Sequence, residues 1–253
     1  MMQSRTFIYG KHALEEALNN TPEIVQEVFF THQFEDNFLR TLVKKRGIKA
    51  TQLMPNKFPH GADEDSVHQG VIAKISVDKL VLNYKEFIDN LPITIDTSLI
   101  ILGEIQDPQN VGAVIRSAAA FGVAGVLIPE HNQAPITGAV VKVSAGMAFR
   151  IPLVIAPNIN NVARDLKDKG FWIYGLEGES RDSIAREEFD TPTVFILGNE
   201  AHGIRAKTRD VCDKLLTIPT NAQCESLNAA ASAAVALYAW SLKHPKALRV
   251  KGV

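Results

Sequence analysis

Leu99-Ile100-Ile101-Leu102-Gly103, followed after a short gap by Asp107-Pro108-Gln109-Asn110-Val111-Gly112-Ala113-Val114-Ile115-Arg116-Ser117-Ala118-Ala119-Ala120-Phe121-Gly122, decides how the rest of the chain reads. A near-continuous apolar run of strand length, a turn carrying proline and a helix of small and aliphatic residues form the repeating unit of a parallel sheet covered on both faces. The pattern recurs downstream. Strands are expected at 125–128, 153–155, 171–175, 194–197 and 215–218. They alternate with helices from 110, over 137–148, over 159–169, near Arg205, and a long final helix from Ser226.

Upstream the pattern predicts a smaller α/β unit. A helix over 10–20 gathers Ala13, Leu14, Ala17 and Leu18 on one face; a strand at 25–30, a helix over 37–45 and strands at 48–53 and 70–75 follow. Residues 55–69 are polar, broken by Pro and Gly, and carry Asp63-Glu64-Asp65, which predicts an exposed loop. The expected division is a small domain over 1–77, a linker with one short helical piece over 78–96, and the parallel-sheet domain over 97–253.

Composition narrows the function. With 46% hydrophobic and 22% charged residues among 253, the chain has the balance of a globular protein with a sizeable core. No stretch approaches the roughly 18 apolar residues of a membrane span, so a cytoplasmic protein is expected. Cys212 and Cys224 stand alone, which excludes a disulfide framework and predicts no metal. A net charge of −1 excludes a broad nucleic-acid coat. Any RNA contact must be local, and the Lys44-Lys45-Arg46-Gly47-Ile48-Lys49 run and the tail with Lys243, His244, Lys246, Arg249 and Lys251 are the candidates, although solvated helix ends explain both.

Ligands of open parallel sheets gather beyond the carboxyl ends of the strands. Three segments lie there: Asp107 to Asn110, Gly198-Asn199-Glu200-Ala201-His202-Gly203, and Pro219 to Glu225 leading into Ser226-Leu227-Asn228. Taken singly, each has an ordinary account. Asn110 and Ser226 are natural helix N-caps, and Glu200 is able to cap the turn after it. Arg116, on an otherwise small and apolar helix, is either a surface charge or a donor lining a cleft for a carboxylate or phosphate. No Gly-x-Gly-x-x-Gly opens the first helix, which counts against a nicotinamide oxidoreductase.

In this order and spacing, DPQNVGAVIRSAAAFG, FILGNEAHGI and IPTNAQCESLNAA resemble the three motifs of the SpoU-type (TrmH-like) RNA 2′-O-ribose methyltransferases of the SPOUT superfamily. Tyr9-Gly10-Lys11-His12-Ala13-Leu14 and Val67-His68-Gln69-Gly70-Val71-Ile72-Ala73 are similar to the N-terminal RNA-binding domain of the RlmB-like subfamily, which methylates a guanosine in 23S rRNA. That domain is similar to a ribosomal-protein fold.

The resemblance implies a catalytic domain closed by a deep trefoil knot, an exception to the usual absence of knots. It also implies a homodimer with the active site at its interface. S-adenosylmethionine would be held bent by Gly198, Ile218 and Leu227. Arg116 would be the principal catalytic residue, with Asn110, Glu200, Ser226 and Asn228 shaping the site. Two roles are open for Arg116: base for the ribose hydroxyl, or a group that orients the adjacent phosphate and stabilises the developing alkoxide. A guanidinium keeps its proton unless strongly perturbed. Asn199, Ala201 and Ala222 stand where the family usually has Ser, Gly and Gly, and a Cβ at 201 or 222 is expected to tighten the cofactor pocket. Other expected substrates are tRNA or a resistance-type rRNA site, and the rival class is a non-catalytic RNA-binding or ribosome-assembly protein with a decayed methyltransferase domain.

Overall fold

A computed structural model describes residues 5–54, 57–224 and 226–248. Residues 55 and 56 of the expected loop, and Glu225, Arg249 and Lys251, lie outside them. The smaller unit runs β1 (Arg5–Tyr9), α1 (Lys11–Asn20), β2 (Val25–Thr31), α2 (Asn37–Lys45), β3 (Lys49–Leu53) and β4 (Val71–Ser76). Its sheet has the order β1-β4-β2-β3, antiparallel except for the β2–β3 pair. The larger unit runs β5 (Val81–Asn83), α3 (Tyr84–Asp89), β6 (Ser98–Ile101), α4 (Pro108–Ala120), β7 (Gly125–Pro129), α5 (Gly138–Val143) and β8 (Leu153–Ala156). It continues with α6 (Ile159–Asp168), β9 (Trp172–Leu176), β10 (Thr193–Ile196), α7 (Ala206–Arg209), β11 (Lys214–Leu216) and α8 (Ala229–Lys243).

The seven strands of this unit pair in parallel in the order β11-β9-β10-β6-β7-β8-β5. Alternation along each strand explains why they read as continuous apolar runs. Leu99, Ile101, Leu127, Val154, Ile173, Val194 and Ile196 face α3 and α6, whereas Ile100, Leu102, Val126, Ile128, Leu153, Tyr174, Phe195 and Leu197 face α4, α5 and α8. Both sets are buried, as the sequence predicts.

Three expectations need correction. The stretch expected as a linker contributes β5, an edge strand paired with β8, and α3, whose Phe87 and Ile88 enter the core. The helix expected over 137–148 stops at Val143, because Ala145 and Gly146 take positive φ (51° and 79°) and turn the chain into a short 3-10 segment at Met147–Phe149. The last helix starts at Ala229 and not at Ser226.

The two units share one hydrophobic core. At the seam β1 meets α5: the Gly138 N–H donates to Thr6 Oγ1, and a Cβ at Gly138 would lie 1.9 Å from the Phe7 carbonyl oxygen, so only glycine permits this approach. Beside it, the Glu16 carboxylate accepts two hydrogen bonds from the Arg150 guanidinium, a bidentate link between the units. That pairing holds the Glu16 carboxyl below the usual carboxylate range.

Candidate active site

The strand order reverses between β6 and β10, and the loops leaving these neighbours, 102–107 and 197–205, flank a crevice at their carboxyl ends. Backbone packs tightly there. A Cβ on Gly103 would lie 1.9 Å from the Leu197 carbonyl oxygen, and one on Gly198 would lie 2.4 Å from the Gly203 carbonyl carbon. Glycine at both positions lets the two loops touch.

Asp107 caps α4, its Oδ1 accepting the Gln109 N–H at 2.8 Å. Asn110, expected as that cap, sits instead inside the first turn. Its Nδ2 is therefore free to donate to Glu200 Oε1 at 3.2 Å, while Glu200 Oε2 accepts the Gln106 N–H at 3.3 Å. Glu200, expected as a turn cap, leaves that role to Asn199. The Asn199 Oδ1 accepts from the Ala201 and His202 N–H groups, its Nδ2 donates to the Glu104 carbonyl, and its backbone exchanges two hydrogen bonds with Gly203. The first two segments are thus joined by side chains across 90 residues of sequence.

A cavity of ≈ 280 Å³ opens beyond β9, β10 and β11. Gly198, Ile218 and Leu227 all line it, together with Glu200 and Ser226. Leu176, Leu197 and Leu216 supply apolar wall, and Glu177, Thr220 and Ser232 supply polar groups that the sequence reading passed over. Glu177 had a legible signal, since it follows β9 at the same end of the sheet. Ala201 and Ala222 do not line the cavity and are exposed, so their added Cβ atoms do not tighten it.

Ser226 is exposed and is not a helix cap. Asn228 caps α8, its Oδ1 accepting the Ala231 N–H at 2.7 Å, and it does not line the cavity. Arg116 is exposed on α4, lies about 120° around the helix from Asn110, and lines neither the cavity nor the adjoining cleft. Among the described residues it makes no side-chain hydrogen bond or ion pair. Cys212 lies outside the site, its thiol pushed up to about 12 by burial, which disfavours the thiolate. Among the described residues no group of three His, Cys, Asp or Glu is arranged to hold a metal ion, and no helix is long and apolar enough to cross a membrane.

Fold and family models define the class: a SpoU-type α/β methyltransferase domain preceded by a smaller α/β domain. The SpoU rRNA methylase family model matches residues 97–238, and the model for the substrate-binding domain of RNA 2′-O ribose methyltransferases matches residues 7–79. The chain belongs to the SpoU rRNA methylase family. Two relatives are named 23S rRNA (guanosine-2′-O-)-methyltransferase RlmB. The one from Shewanella oneidensis is 31% identical, covering 94% of this chain and 97% of its own. That from Escherichia coli K12 is 32% identical, covering 91% and 96%. Among solved structures, the SpoU methyltransferase AviRb from Streptomyces viridochromogenes in complex with AdoMet superposes with a TM-score of 0.79 at 22% identity, over 96% of this chain and 91% of that one. That likeness concerns the fold.

Proposed function

We propose that this enzyme transfers the methyl group of S-adenosylmethionine to the ribose 2′-hydroxyl of a guanosine in 23S rRNA, in the cytoplasm. The observation that carries the reading is the convergence of Gly198, Ile218, Leu227, Glu200 and Ser226 on one cavity, with Asn110 joined to Glu200 at its edge. The substrate follows the relatives' names over nearly the full chain. The site residues fit the cofactor. Gly198 lets backbone, not side chain, face it, and the apolar walls suit an adenosyl group beside polar groups for its hydrogen bonds.

S-adenosylmethionine bound there supplies an electrophilic methyl on a sulfonium. Glu200, fixed by Asn110 and the Gln106 N–H, marks where the ribose is positioned against it. Arg116 orients the neighbouring phosphate and stabilises the 2′-oxygen as the hydroxyl proton passes to solvent and the O–CH3 bond forms at the expense of the S–CH3 bond. Because Arg116 lines no part of its own subunit's cavity, it is proposed to serve the cavity of a partner subunit. The α8 residues Val235, Tyr238 and Leu242, at 39%, 53% and 62% exposure and helical spacing, offer an apolar face for that homodimer. The trefoil knot belongs to the same reading, supported by the meeting of the loops after β9, β10 and β11 around one cavity.

Arg116→Ala is expected to bind S-adenosylmethionine like the wild type in calorimetry and to lose transfer by about 10²-fold or more. Equal transfer would remove the role given to Arg116, and no cofactor binding by the wild type would favour the rival RNA-binding module.

A further inference from the structure

Across the 198–203 loop from the cofactor cavity lies a second cleft of ≈ 480 Å³, at the carboxyl ends of β6 and β10 where the strand order reverses. Ile159, Ile196 and Ile204 give it an apolar wall, and Glu104 and Arg205 stand on its lining as an ion pair. Gly198, Asn199 and Gly203 line both spaces, so a ligand in the cleft is one loop away from the cofactor. Gln106 also lines the cleft, and its backbone N–H holds Glu200. A ribose placed at Glu200 therefore has the cofactor on one side and this cleft on the other.

Glu104 is built into place at a cost. It takes φ +63°, a left-handed conformation that a non-glycine residue with a long side chain seldom adopts. Its carbonyl accepts from Asn199 Nδ2 and from Gln106 Nε2, which hold that turn, and Arg205 holds its carboxylate. The result is a held carboxylate paired with an exposed guanidinium at the edge of an apolar slot. A nucleobase needs such a slot, with apolar surface for its faces and hydrogen-bonding groups for its edge. The Watson–Crick edge of guanine presents N2–H and N1–H donors and then the O6 acceptor. A carboxylate accepts the two donors and keeps lone pairs for an arginine, and an arginine donates to O6. Adenine would set its N1 acceptor against the carboxylate.

We propose that this cleft receives the acceptor guanine, with Glu104 and Arg205 as the residues that select it. The proposal rests on the methyltransferase reading above and adds the base-selecting site. It is tested with RNA substrates carrying guanosine, inosine or adenosine at the acceptor position. The wild type is expected to lose at least about tenfold in kcat/KM on inosine, which lacks the 2-amino group, and more on adenosine. Glu104→Gln keeps the side chain's shape, lies outside the cofactor cavity, and is expected to bind S-adenosylmethionine normally while lowering the guanosine-to-adenosine ratio at least about tenfold. Equal wild-type rates on the three RNAs, or an unchanged ratio in an active Glu104→Gln, would overturn the assignment. Absence of transfer by the wild type to its rRNA would instead overturn the underlying methyltransferase reading.

Discussion

The Asn199 amide performs two tasks at once, closing its own turn and reaching the Glu104 carbonyl. This is legible only in three dimensions, because the partner is 95 positions away in sequence. The neighbouring Gly198 is the opposite case. A glycine at the end of an apolar strand already predicts close backbone approach, and the structure shows what it approaches. A methyl group at 198 has backbone on one side and the cavity on the other, so the hairpin from 199 to 203 must shift. Gly198→Ala is expected to weaken S-adenosylmethionine binding at least about tenfold, about 1.4 kcal/mol, in calorimetry. Unchanged affinity would show that the loop yields without disturbing the cavity.

At the scale of elements, the caps were the least legible part of the site. Asp107 and Asn110 both suit an N-cap, as do Ser226 and Asn228, and only the backbone path decides which carboxamide or carboxylate turns back on its helix. In both cases the choice bears on function, since a residue spared from capping is available to the site. Asn228→Ala is therefore expected to cost about 1 kcal/mol and lower Tm, whereas Ser226→Ala leaves stability within about 0.5 kcal/mol of wild type. Thermal unfolding of the two variants separates the roles, and the reverse order would restore Ser226 as the cap. The strands were easier, being long and apolar. The exceptions are Arg5–Tyr9 and Val81–Asn83, neither expected from sequence. Val81–Asn83 is too short to show a period, and pairing with Leu153–Ile155 makes it a strand.

For the whole molecule, the alternation of strand and helix carried the parallel sheet, and its carboxyl-end rule pointed to the strand ends where the candidate site is placed. Sequence could not show that the two units share a core, because that depends on Gly138 and on the Glu16 to Arg150 link, which spans 134 positions. Glu16 sits in a side-chain environment only 8% exposed. With its folded value depressed, the link contributes stability that is fully present above the unfolded carboxyl value of about 4.3 and is lost as pH falls through the folded one. Glu16→Gln is expected to lower stability at pH 7 by about 2 kcal/mol and to flatten the acid side of the stability curve. Denaturant unfolding between neutral pH and pH 3 measures both, and a parallel acid limb in the variant would contradict the assignment.

The proposed reaction is methyl transfer to a ribose 2′-hydroxyl of 23S rRNA by the joined motifs on the larger unit. Its most direct test is a 2′-O-methylation map of 23S rRNA from cells lacking the protein, taken before and after incubation with the purified chain and S-adenosylmethionine. One new 2′-O-methylguanosine is expected, and Arg116→Ala does not produce it. An unchanged map with the wild-type protein would contradict it.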